Sequence, residues 1–170
     1  MRMRFQGRYE DGFTLTELMT SVVLLAGFFG SVFELNTVCL RYVNASKENV
    51  AAIQGVQDRL EVLRSLAFTD LTSTSYMTTL LTTPSNSAAL AQRAVETVKL
   101  SDYIAGSPSV TYTRAAGANV TPTISWSGGA SFPSTTTLLR VNVRYDWTTT
   151  FAGRSRSEQT ESLISAGIKK

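Results

Sequence analysis

The sequence reads Gly12-Phe13-Thr14-Leu15-Thr16-Glu17-Leu18 at the start of an apolar run that continues to Phe33. Glu17 is the one charged residue among the 21 residues from 13 to 33. About 20 apolar residues in a helix are enough to cross a hydrocarbon layer of about 30 Å. We therefore expect residues 13–33 to form a membrane span.

The residues before this run predict its orientation. Arg2, Arg4 and Arg8 precede it and are offset by Glu10 and Asp11. Arginine-bearing flanks tend to stay on the cytoplasmic side, which places the N-terminus there and sends residues 34–170 outward. A secretory signal peptide fits less well, because the apolar run is too long and no small-residue cleavage site follows it.

Glu17 has two interpretations when it is taken alone. A carboxylate inside an apolar helix costs roughly 2.5–3.5 kcal/mol on insertion scales, so it needs either an interfacial position or a partner. A glutamate at a helix start is also favoured by the helix dipole. The residue by itself does not separate these two interpretations.

The surrounding residues resemble the cleavage motif of type IV pilins and type II secretion pseudopilins. The shared features are a short basic leader, a glycine, an aromatic residue and a glutamate five residues after the glycine, and the resemblance covers residues 7–33. It implies that residues 1–12 are a leader which prepilin peptidase removes after Gly12. It also implies that the new amine of Phe13 is methylated, and that Glu17 neutralises the amine of a neighbouring subunit.

The chain departs from the family's pattern at two places. Many pilins have a helix-bending proline where this chain has Glu34. Many also close a C-terminal loop with a disulfide, whereas Cys39 is the single cysteine here, so no intrachain disulfide can form. Both departures favour a minor subunit over a major one.

Residues 34–66 are predicted to continue the helix as an amphipathic half. No proline occurs between Phe13 and Pro84, and Gly55 marks either a bend or a close packing contact. Apolar residues recur at helical spacings of three and four: Leu35, Val38, Tyr42, Ala45, Ile53, Val56, Leu60 and Leu63.

The remaining residues are predicted to cover this apolar stripe. Residues 67–108 are rich in turn signals and are interpreted as a variable connection with a short helix from Ala88 to Val95. Residues 109–170 are predicted to form an antiparallel sheet, in which Leu139 to Trp147 is the clearest strand and Arg154 to Ile164 its return. Pro122 makes a neighbouring strand start late or lie at an edge. The fold class is α+β, a pilin-like arrangement in which a long helix, transmembrane in its first half, packs by its second half on a small antiparallel sheet.

The composition gives no indication of an enzyme. The chain has no histidine, which excludes Ser-His-Asp and Cys-His sites, and Cys39 has no base beside it. Asp102 and Asp146 are isolated acids, more typical of solvated carboxylates than of a calcium site. No metal site and no cofactor are predicted.

Four arginines are predicted to share the polar face of the last hairpin: Arg140, Arg144, Arg154 and Arg156. Arginines on a strand face keep a sheet edge soluble and resist aggregation. The same patch could instead contact DNA phosphates. We favour the first interpretation, since the formal net charge is only +3.

The sequence therefore predicts a structural, minor subunit of a type IV pilus or type II secretion pseudopilus. Its expected partners are prepilin peptidase, other pilin or pseudopilin subunits and the bacterial inner membrane, from which it would pass into a periplasmic or extracellular filament. Two alternatives stay open. One is a DNA-contacting pseudopilin of a competence filament, and the other is an uncleaved, membrane-anchored periplasmic domain.

Overall fold

The computed structural model describes residues 12–104, 108–150 and 153–167. The chain divides into two compact units, Met1–Tyr42 and Val43–Lys170. Helix α1 begins in the first unit and ends in the second. The elements in chain order are α1 (Leu15–Ser65), α2 (Phe68–Thr72), α3 (Thr74–Leu80), α4 (Ala89–Arg93), β1 (Val95–Asp102), β2 (Ser109–Arg114), β3 (Thr123–Ser127), β4 (Leu138–Thr148) and β5 (Ser155–Ser165).

The first unit consists, in its described part, of the start of α1 and the three residues before it. Every described residue from 12 to 42 is exposed. This part of α1 is long and apolar enough to cross a membrane, and none of its apolar window is buried. Its apolar surface therefore has no covering within the described residues.

The second unit is built on one antiparallel sheet with strand order β3-β2-β1-β4-β5. In β4, buried and more exposed residues alternate along the strand. The predicted inward face of this strand is confirmed, because its five apolar side chains are all buried: Leu139, Val141, Val143, Tyr145 and Trp147.

The second part of α1 packs on this sheet. Val56, Leu60 and Leu63 are buried as predicted, and Ala52 joins them. Ile53 is 41% exposed, and Leu35, Val38 and Tyr42 are exposed as well, so the predicted places of these four residues in a covered stripe are wrong. Successive residues on a helix point about 100° apart, and the buried face follows Ala52 instead. The α+β arrangement of a long N-terminal helix on an antiparallel sheet is confirmed.

The segment interpreted as a connection contains more structure than expected. It holds α2, α3 and α4, and it also contributes β1, which lies in the middle of the sheet between β2 and β4. The sheet is therefore not confined to residues 109–170. The short helix predicted from Ala88 to Val95 exists as α4, and the late start predicted after Pro122 is found at Thr123.

Gly55 is a close packing contact. A Cβ atom at this position would lie 2.7 Å from Cε2 of Tyr145, which is closer than real Cβ atoms approach their neighbours. The hydroxyl of Tyr145 lies 2.5 Å from Oγ of Ser85. The absence of a side chain at Gly55 thus lets α1 approach the ring of Tyr145.

Candidate functional site

The segment Gly12 to Glu17 forms the entrance to α1. Phe13 precedes the helix and is 78% exposed. Thr14 stands at the position before Leu15, and its Oγ1 accepts a hydrogen bond from the backbone N–H of Glu17 at 3.3 Å. A threonine that accepts in this way satisfies one of the free N–H groups at a helix start. The peptide bond between Gly12 and Phe13 consequently lies outside the helix.

Glu17 lies in the first turn of α1 with an exposed side chain. Its backbone carbonyl accepts hydrogen bonds from the hydroxyls of Thr20 at 3.0 Å and Ser21 at 2.8 Å. Within residues 12–104, 108–150 and 153–167, its carboxylate makes no ion pair. The partial positive charge at the N-terminal end of the helix stabilises the carboxylate of Glu17. This interaction still allows the carboxylate to pair with a group of another molecule.

The surface around Glu17 is apolar along the following turns. Phe13 and Leu18 line a shallow groove with Ser21, Val22 and Leu25. The large apolar side chains from Phe13 to Phe33 are between 44% and 78% exposed. An exposed apolar surface of this extent is typical of a membrane or protein contact.

Arg140 and Arg144 lie on the face of β4 that points away from the core, as predicted. Arg140 Nε is 3.0 Å from Glu161 Oε1, and Arg144 Nη2 is 2.6 Å from Asp146 Oδ1. The pKa of Arg144 is raised by its hydrogen bond and charge interaction with Asp146. Both arginines are therefore paired with acids, which weakens any positive potential at this face.

Arg154 and Arg156 are placed differently. Arg154 precedes β5, and its backbone N–H donates to Oγ1 of Thr149 at 3.2 Å. Arg156 lies opposite Trp147 in the ladder, and opposite residues of a ladder share one face of the sheet. Arg156 is thus on the face that carries Trp147, and the structure does not bring the four predicted arginines to one face.

A buried charge cluster of Arg59, Glu96 and Arg114 joins α1 to the sheet. Arg59 Nε lies 2.5 Å from Glu96 Oε1, and Arg114 Nε lies 3.2 Å from Glu96 Oε2. All three side chains are at most 3% exposed. Sequence reasoning missed this cluster, since Arg59 is not part of the predicted apolar stripe of the helix. The available signal was the spacing of Glu96, Val98 and Leu100, which is that of one face of a strand.

The remaining hydrogen bonds of the cluster go to backbone carbonyls. Arg59 Nη2 donates to the carbonyl of Thr83 at 2.6 Å. Arg114 donates to the carbonyl of Ala91 at 2.8 Å and to that of Gly117 at 2.7 Å. These bonds attach the segment before β1 to both α1 and the sheet.

A second polar contact ties α1 to the turn after β4. Glu48 Oε1 lies 2.6 Å from Arg93 Nη2 and accepts a hydrogen bond from the hydroxyl of Thr150 at 2.6 Å. Burial of the Glu48 carboxyl acts to raise its pKa, but the hydrogen bonds from Thr150 and Arg93 outweigh this effect and lower the pKa below 4.5. Glu48 is therefore charged at neutral pH and holds these elements together.

Metal binding has no site among the residues that the structure describes, since no group of three or more potential ligands occurs there. Asp102 accepts hydrogen bonds from the N–H of Ile104 and the hydroxyl of Thr136. Cys39 is exposed.

No family model, no curated protein and no solved structure matches the chain. The functional interpretation therefore depends on the residues of the chain itself.

Proposed function

We propose that this protein is a structural, minor subunit of a type IV pilus or type II secretion pseudopilus, cleaved after Gly12 and assembled through its N-terminal helix. One observation carries the proposal. Residues 15–33 of α1 form a fully exposed, mostly apolar stretch that contains one carboxylate, Glu17, in the first turn of the helix. The proposal accounts for both the exposure of the helix and the presence of the acid.

The apolar helix has two environments in this account. Before assembly, residues 13–33 lie in the inner membrane with the N-terminus in the cytoplasm and the second unit outside it. After assembly, the same surface packs against the helices of other subunits in the filament. Each environment covers side chains that water would otherwise hydrate unfavourably.

Glu17 supplies the specificity of docking. Cleavage before Phe13 creates an ammonium group at the membrane-embedded end of the chain. An ammonium and a carboxylate are each costly in lipid when alone, and pairing them between neighbouring subunits removes both penalties. The leader must be removed first, because the amine does not exist until prepilin peptidase has cut.

The cleavage step is tested by Gly12→Val. A Cβ branch at the last leader residue is expected to block the peptidase through its bulk, leaving a precursor that keeps the twelve-residue leader. Gly27→Val is the matched control, since a Cβ at Gly27 meets nothing within 4 Å. A mature-sized product from Gly12→Val would overturn the proposed cleavage site.

The docking step is tested by Glu17→Leu. Insertion should become easier by about 2.5–3.5 kcal/mol, and cleavage should persist. Co-purification with filaments should fall by a factor of several hundred, because an unpaired ammonium costs about 3–5 kcal/mol. Glu34→Leu removes the other acid between Phe13 and Tyr42 and should co-purify normally. Normal incorporation of Glu17→Leu into filaments would show that Glu17 does not pair with a neighbouring subunit and is an interfacial residue at the helix start.

The DNA-contacting alternative has less support. Arg140 and Arg144 are paired with acids, and Arg156 lies on the other face of the sheet. An uncleaved, membrane-anchored domain accounts for the apolar helix. It does not explain why Glu17 follows Gly12 at the spacing of the cleavage motif. Measurement of the mature N-terminus separates it from the filament subunit.

A further inference from the structure

Arg114, Glu96 and Tyr145 form one row across the sheet. In the ladder, Glu96 lies opposite Arg114 on one side and opposite Tyr145 on the other. Residues opposite each other share a face, so this row points toward α1. Arg59 reaches the row from the helix and contacts Glu96.

The same row meets the helix a second time, one turn earlier. Gly55 lies four residues before Arg59, and the ring of Tyr145 occupies the space that a Cβ at Gly55 would need. The tyrosine is held in place by its hydrogen bond to Ser85. One steric contact and one electrostatic contact therefore join adjacent turns of α1 to adjacent strands of the sheet.

The buried apolar side chains of α1 select its position along the sheet only in part. Ala52, Val56 and Leu60 recur every four residues on the buried face. A helix rises 1.5 Å per residue, so a slide of one turn moves α1 by about 6 Å. Such a slide presents one apolar side chain to the place of another at two positions, but it also brings Glu48 to the place of Ala52 or Arg64 to the place of Leu60.

The polar contacts do not tolerate that slide. Moving α1 by four residues brings either Ala51 or Arg59 opposite Tyr145, and the Cβ of either residue would have to displace the tyrosine ring. It also withdraws the Arg59 guanidinium from Glu96 and leaves charges unpaired in a dry core. Unpaired buried charges are strongly destabilising, whereas paired ones contribute little net stability.

We propose that Arg59, Glu96 and Gly55 form a register lock that restricts α1 to a single position along the sheet. Arg59 selects the register by charge, and Gly55 selects it by shape. Arg114 has a different role, because it links β2 to β1 and does not contact α1 in this lock. The lock is confined to the second unit and does not depend on the filament proposal.

The test compares two buried arginines that bind the same carboxylate. Arg59→Met removes the helix's contact to Glu96, and Arg114→Met removes the sheet's own contact. Each full-length variant is expressed with 3-fluorotyrosine in place of tyrosine. It is then examined in detergent micelles by fluorine NMR. The Tyr145 signal is assigned by its loss in Tyr145→Phe, and Tyr103, on the opposite face beside Arg140, is the internal control.

The lock predicts one Tyr145 signal for the unmodified protein and two or more for Arg59→Met, with the Tyr103 signal unchanged. Arg114→Met should lower the urea midpoint of unfolding but keep a single Tyr145 signal. A single Tyr145 signal in Arg59→Met, or a split signal in Arg114→Met, would overturn the proposal.

A third variant covers the case in which a single substitution prevents folding. Combining Arg59→Met and Arg114→Met with Glu96→Leu leaves no unpaired charge, and apolar replacements of buried charge triads commonly retain or increase stability. The lock predicts a folded protein with a split Tyr145 signal. A folded triple variant with one Tyr145 signal would show that the contact between Arg59 and Glu96 does not set the register, and this result would overturn the proposal.

Discussion

Glu96→Gln is expected to be among the most destabilising conservative changes in the second unit. The substitution keeps the size of the side chain but removes the charge that pairs with two buried arginines, Arg59 and Arg114. Removing one partner from a buried ion pair costs about 3–5 kcal/mol, because it leaves uncompensated charge in the core. A domain of this size has a total stability of about 5–15 kcal/mol, so a large part of it would be lost.

The matched control is the same substitution at Glu161, in the neighbouring part of the sheet. Glu161 pairs with Arg140 at 3.0 Å, but the two side chains are 48% and 47% exposed. Exposed pairs contribute about 0–1 kcal/mol. The two glutamates therefore differ chiefly in burial.

Urea unfolding of the full-length protein in micelles, followed by tryptophan fluorescence, measures both effects. With a slope of about 2 kcal/mol per molar urea, Glu96→Gln should lower the midpoint by about 2 M and Glu161→Gln by less than about 0.5 M. Equal shifts in the two variants would refute the reasoning. That result would mean that burial does not determine how much each carboxylate stabilises the fold.

Three further predictions concern packing and pH. Val141→Asp places an unpaired carboxylate in the core and should lower the free energy of unfolding by several kcal/mol, whereas Arg144→Asp, on the outer face, should change the unfolding midpoint little. Similar losses in both variants would mean that the two faces of the strand are misassigned. Gly55→Ala should destabilise the protein by about 1–3 kcal/mol because the new methyl group meets the ring of Tyr145, whereas Gly27→Ala, with open space around it, should not. A Gly55→Ala variant as stable as the unmodified protein would show that this steric contact does not matter. Because the pKa of Glu48 is lowered in the folded state, its carboxylate stabilises the fold at pH values above its ordinary pKa of 4.5, and this stabilisation is lost as the pH falls through the lowered pKa. Glu48→Gln should therefore make the urea midpoint less sensitive to acid. An unchanged dependence of the midpoint on pH would contradict this assignment.

The sequence predicted those elements whose burial follows a simple period. In β4, apolar residues alternate with polar ones without exception from Leu139 to Trp147, so both its existence and its inward face were predictable. In α1, the absence of proline and the recurrence of Val56, Leu60 and Leu63 were sufficient. Ile53 was misplaced because a small residue, Ala52, takes the buried position beside it.

The sequence did not predict β1, and the reason is physical. Its inward face reads Glu96, Val98 and Leu100, so the alternation begins with a charged residue. A buried glutamate is stable only with its partners, and these come from α1 and β2, distant in sequence. The pairing of Arg140 and Arg144 with acids likewise depends on strand register, which periodicity alone does not give.

The candidate assembly site differs from these cases because its signal is local. Gly12, Phe13 and Glu17 lie within six residues of one another, and the resemblance to prepilins could be seen without a fold. The structure adds the helix start at Leu15 and the exposure of the apolar surface that follows. Within the part of the chain that the structure describes, nothing covers this surface, so its partner stays a proposal.

The most direct test of the proposed function is mass spectrometry of the mature N-terminus, with the full chain expressed in a bacterium that contains prepilin peptidase. The proposal predicts a protein that begins at Phe13, carries a methyl group on its new amine and lacks residues 1–12. A protein that retains residues 1–12, or one cut after the apolar run, would contradict it.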